Sequence, residues 1–69
     1  MPANIGLIHE ARRLTTGANV HELNGALAMY QAAACEDNPA SQNAARKMEL
    51  NLAAYVKRLR SLRAQSQTL

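Results

Sequence analysis

An all-α fold is what the sequence predicts, and three observations carry that expectation. Apolar side chains recur at steps of three and four residues through Ala45, Met48, Leu52, Tyr55, Leu59 and Leu62, the spacing that holds one side of a continuous helix. Alanine, the strongest helix former, supplies much of the 48% hydrophobic content, while Phe and Trp are absent. No segment alternates apolar and polar residues with period two, and β-branched residues are few and scattered, so strands have no support.

The 69 residues suffice for a single helical domain spanning 1–69, and one this small buries only roughly 60% of the surface its unfolded chain exposes. Two punctuation sites, Thr15 to Asn19 and Glu36 to Pro39, divide it into three helices. The first covers about residues 4–14, with Ile5, Ile8 and Ala11 on one face and Leu7 and Leu14 a heptad apart beside it. Gly6 and its shortness make it the weakest of the three.

The second helix covers about residues 20–36. Asn19 followed by Glu22 has the spacing of a capping residue and its returning acid, and Leu23, Leu27, Tyr30 and Ala34 form the packing face. Gly25, Ala26, Ala28, Ala32, Ala33 and Ala34 keep this helix thin, so a neighbouring backbone can approach or a further helix can lie in the shallow groove left by small residues. Asn38 caps the third helix and Pro39 begins it, since the first turn needs no donor there. With no later Gly or Pro it runs to about residue 64, roughly 38 Å, ahead of a fraying tail at 65–69. The architecture expected is a three-helix antiparallel bundle with a long C-terminal helix, the alternative being a two-helix hairpin that oligomerises.

The net charge of +3 is unevenly placed. Before Arg46, Arg12 and Arg13 face four acids, whereas Arg46, Lys47, Lys57, Arg58, Arg60 and Arg63 face only Glu49. Lys57, Arg58, Arg60 and Arg63 are candidates for a polyanion, be it an acidic protein surface, a tubulin tail or an anionic membrane; the competing role is stabilisation of the helix dipole. Without aromatic platforms or a recognition helix after a tight turn, the same cations argue against a nucleic-acid partner.

Candidate chemistry is sparse. His9 and His21 lie on different helices with no ligand spacing, so no metal site is expected, and surface positions suit both better. Cys35 lacks a positioned base and is read as a small buried hydrophobe near a helix end; being the sole cysteine, it excludes an internal disulfide. Gly-rich phosphate loops and facing carboxylates are missing, so the expectation is a chain that is not an enzyme and has no cofactor. No apolar run reaches the roughly 18 residues of a membrane span and no charged region precedes an apolar core at the amino terminus, which gives cytoplasmic as the expected location.

Residues Gly25 to Ala33, read as Gly-Ala-Leu-Ala-Met-Tyr-Gln-Ala-Ala, resemble the second-helix pattern Ala-Leu-x-Leu-Tyr-x-x-Ala of MIT domains, the three-helix modules of microtubule-interacting and trafficking proteins. Tyr55 to Arg63 is similar to that family's third-helix pattern, with Leu59 and Arg60 standing where the pattern has alanine and an acid. The segment from Asn4 to Ala11 and the Gly17 to Asn19 turn fit its first helix and turn. The resemblance implies a groove between the second and third helices that receives a helical or extended tail of an ESCRT-III-like partner. Ala26, Met29 and Tyr30 would form one wall, and Tyr55, Arg58, Leu59, Leu62 and Arg63 the other. Core packing is the alternative role of Tyr30, Tyr55 and Leu62.

Arg58 to Arg63 also resembles the Arg-Leu-x-x-Leu-Lys/Arg core of the tails such domains receive. Either way helix-in-groove recognition is implied. A rival expectation from another class is a self-assembling helical hairpin, since the Asp37 to Ala40 bend resembles the small subunits and chaperones of secretion needles.

Overall fold

The computed structural model describes residues 2–67 and contains three helices, α1 (Ile5–Leu14), α2 (Asn19–Cys35) and α3 (Pro39–Gln67). No strand occurs among the described residues. The all-α, three-helix expectation holds, including the long C-terminal helix. At 29 residues α3 spans about 43 Å, most of the 48 Å long axis of the molecule.

Each helix start has a local cause. The Asn4 side chain accepts from the Leu7 amide at 3.1 Å and caps α1, so Asn4 stands just outside a helix expected to include it. Asn38 does the same for α3 through the Ser41 amide at 2.8 Å, as the sequence suggests. Asn19 does not cap α2. Gly17 takes the left-handed conformation at φ 69°, the Val20 amide closes a turn onto the Gly17 carbonyl at 3.2 Å, and Ala18 is already helical with no side-chain cap. Asn19 thus falls inside the helix, where the extended backbone a capping side chain requires is no longer available.

The turn between α2 and α3 is tied by side chains. Gln42 Nε2 donates to the carbonyls of Ala34 and Glu36 at 3.1 and 2.8 Å, meeting acceptors that the end of α2 leaves open. The Ser41 hydroxyl and the Asn38 amide donate to the Glu36 carboxylate. These bonds bring the start of α3 back against the end of α2 and make the two antiparallel.

The core consists of Ile8 and Ala11 from α1, Leu23, Leu27, Tyr30 and Ala34 from α2, and Ala45, Leu52 and Val56 from α3. All four expected α2 residues are buried. α3 is the central member: it packs against both other helices, which meet each other only slightly. Consequently α3 needs two contact sides rather than one stripe. Val56 is buried, Met48, Tyr55 and Leu59 are half-buried, and Leu62 is 55% exposed. In α1 the buried arc centres on Leu7, Ile8, Ala11 and Leu14, with Ile5 roughly a third of a turn away and 54% exposed. Cys35 is exposed instead of buried, because Ala34 takes the core position and Cys35 turns about 100° past it. α3 stays helical through Gln67, so of the expected fraying tail 65–67 is helix, while 68–69 lie outside the described residues.

Buried polar atoms tie the three helices into one register. Tyr30, 2% exposed, accepts from the Asn4 amide at 2.8 Å and donates to Glu49 Oε1 at 2.7 Å, joining α1, α2 and α3 at one oxygen. At the other end Thr15 Oγ1 lies 2.7 Å from the Tyr55 hydroxyl. Asn4 meets Glu49 through Tyr30 at the start of α1, and Leu14 at its end lies beside Arg60 and Ala64, so α1 runs parallel to α3 and α2 antiparallel to both.

Candidate functional site

An open groove of about 540 Å³ separates α2 from α3. Its α2 wall includes Ala26, Met29 and Tyr30, and its α3 wall includes Met48, Tyr55 and Arg58, with Leu23, Leu27 and Leu52 deeper in. The wall is low on the α2 side because Ala26 offers only a methyl group where a larger residue would close the gap. Met29 is 64% exposed, an unusual placement for a flexible apolar side chain and one suited to covering a guest.

Five of the eight residues that the sequence puts forward for partner contact line this groove: Ala26, Met29, Tyr30, Tyr55 and Arg58. Leu59 is half-buried outside the groove lining, and Leu62 lies further along α3 on the same side as Tyr55, a heptad away. The α2–α3 register set by Tyr30 and Glu49 brings Asn19, the first residue of α2, level with about position 60, so Leu62 lies about 3 Å past the start of α2. Arg63 is turned away, about 140° round the helix from Arg58, and lines a cleft on the α1 side with Arg60.

The basic stripe is divided by the same geometry. Arg58 borders the groove, Lys57 is exposed between the two sides, and Arg60 and Arg63 face α1. Arg60 also carries an ion pair that the sequence does not signal: its Nη2 lies 3.0 Å and its Nε 3.1 Å from Glu10 Oε1. Arg13 Nη2 reaches the same oxygen at 2.7 Å. Hydrogen bonds from Arg13 and then Arg60 hold the Glu10 carboxyl below its ordinary pKa of 4.5.

Sequence reasoning misses Glu22, Met48 and Asn51 as groove residues. Met48 is legible as an apolar position but not as one shared between core and groove. Glu22 is exposed, and with Arg58 across the groove it gives the opening one anionic and one cationic edge.

His9 and His21 are both exposed, and no group of three or more His, Cys, Asp or Glu side chains suited to a metal occurs among the described residues. No described helix is long and apolar enough to cross a membrane. Comparison with protein-family models, curated proteins and solved structures gives no match.

Proposed function

We propose that this chain is a non-enzymatic protein–protein interaction module whose α2–α3 groove receives a short amphipathic helix or extended tail. The single observation carrying this reading is the open groove itself, lined by Ala26, Met29, Tyr30, Tyr55 and Arg58 and floored by core leucines. A guest's apolar face covers Met29 and Met48, while Glu22 and Arg58 favour opposite charges at its two edges. The MIT-like sequence patterns make an ESCRT-III-like tail in the cytoplasm the partner class put forward.

The test is calorimetric titration with a set of amphipathic tail peptides, repeated with Ala26→Trp. Ala26 is exposed, so the indole fills the groove without entering the core. Loss of at least about tenfold in affinity is expected, roughly 1.4 kcal/mol. A folded Ala26→Trp variant that binds peptide as tightly as the parent refutes the site.

A second reading, self-assembly as a helical protein, draws on Leu50 and Leu62, which are 71% and 55% exposed on different sides of α3. Sedimentation across a concentration series separates the two. Large particles without peptide favour self-assembly, and a monomer that binds peptide favours the groove.

A further inference from the structure

The far side of α3 holds a second recess, away from the peptide groove, formed where the end of α1 meets the end of α3. It is a cleft of about 380 Å³ bordered by Arg13, Arg60 and Arg63, with Leu14 and Ala64 as its apolar lining. Two of the three guanidinium groups are already gathered by one acceptor, since Arg13 and Arg60 both reach Glu10 Oε1, at 2.7 and 3.0 Å. No ion pair is seen for Arg63 among the described residues. Three cations and one carboxylate leave two positive charges about this cleft, brought there by α1 and α3, whose Glu10 and Arg60 lie 50 residues apart in sequence.

We propose that this cleft binds a dianionic phosphate group. The charge of such a group closes the local balance, and its shape suits the donors. A carboxylate presents only two oxygens in one plane, and Arg13 and Arg60 crowd onto a single one of them, Glu10 Oε1. A phosphate monoester presents three terminal oxygens in a tetrahedral fan, enough to engage guanidinium groups arriving from both helices at once. Glu10 then acts as the resident competitor, keeping Arg13 and Arg60 together until an anion of higher charge draws them across. The stripe expected from sequence along α3 alone is thereby narrowed to Arg60 and Arg63 and completed by Arg13 of α1, which no reading of one helix could supply.

A soluble compound and a lipid headgroup both carry such a phosphate, and the two are separated by probe. The full chain is titrated with inorganic phosphate at matched ionic strength, following the arginine side-chain Nε–Hε signals by NMR. A parallel arm measures co-sedimentation with phosphatidylcholine vesicles, with and without phosphatidic acid. Signals of Arg13, Arg60 and Arg63 are expected to move together. Arg63→Gln should weaken binding about fivefold, whereas Arg46→Gln, the same charge change elsewhere on α3, should leave it within about twofold. Glu10→Gln should tighten binding, because it releases two arginines. Retention on phosphatidic acid vesicles that Arg63→Gln abolishes assigns the phosphate to lipid; response to phosphate without vesicle retention assigns it to a soluble compound. Equal losses in Arg63→Gln and Arg46→Gln, weaker binding in Glu10→Gln, or no response at matched ionic strength would overturn the proposal. Far-UV circular dichroism of each variant confirms that the helices persist.

Discussion

Replacing Tyr30 by Phe removes one oxygen atom and, with it, the only point among the described residues where all three helices share a hydrogen-bonded group. The ring keeps its buried place at 2% exposure, so little apolar burial changes. What is lost is the 2.8 Å bond from the Asn4 amide and the 2.7 Å bond to the Glu49 carboxylate. A neutral hydrogen bond contributes about 0.5–1.5 kcal/mol and one to a charged group about 1.5–3 kcal/mol. Asn4 is exposed and Glu49 half-exposed, so water can take over part of each bond. The expected loss is therefore near the lower end, about 2 kcal/mol. For a domain of this size that lowers the melting temperature by about 8–16 °C.

Thermal and urea unfolding followed by circular dichroism measure this directly, and a double-mutant cycle with Glu49→Ala isolates the pair. A coupling energy of about 1 kcal/mol is expected. Burial, reinforced by Glu49, raises the Tyr30 phenol above its ordinary pKa of 10.0, against a smaller lowering by the Asn4 amide. Folding therefore favours the neutral phenol, and this contribution is present below about pH 10 and lost as pH rises through the folded pKa. That alkaline loss should be missing from Tyr30→Phe. A variant within about 0.5 kcal/mol of the parent, with no coupling to Glu49, would show that the hydroxyl does not hold the helices together.

Further perturbations test other parts of the fold. Gly17→Ala places a side chain at φ 69° and should destabilise by about 1–2 kcal/mol, whereas Gly25→Ala, in open space within α2, should stabilise by about 0.5–1 kcal/mol; urea midpoints moving in the same direction would contradict the assigned turn. Leu27→Ala removes a side chain that is 1% exposed and should cost about 2–5 kcal/mol, enough to give the lowest melting temperature of the set by calorimetry. Glu10 is held below its ordinary pKa by Arg13 and then Arg60, so its contribution is present above about pH 4.5 and lost as pH falls through the folded value. Urea titrations between neutral and acidic pH should show Glu10→Gln lacking that loss.

Helix number, the α2 packing face and the cap at Asn38 were legible because each rests on local pattern: the period of apolar residues, or a polar side chain beside Pro39. The division of α3 into two contact sides was not. Its apolar residues fit one stripe on paper, yet a helix flanked by two neighbours buries Val56 between them and leaves Leu62 past the start of α2. Asn19 failed as a cap because left-handed Gly17 and helical Ala18 began the helix first. The groove's Ala26, Met29 and Tyr30 could be singled out from the MIT-like pattern, but Glu22 and Asn51 carry no signal in isolation. Arg60 and Arg63 read as members of one stripe with Arg58 until the helical turn carried them to the α1 side, where Glu10 meets Arg60 from 50 residues away.

The groove assignment is tested most directly by methyl-resolved NMR of the full chain during titration with an amphipathic tail peptide. Met29 and Met48 line the α2–α3 opening, while Leu50, 71% exposed, lies outside it and serves as the internal control. Binding in the groove should shift both methionine methyl signals saturably and leave those of Leu50 in place. Saturable binding that moves Leu50 while Met29 and Met48 stay fixed would contradict it.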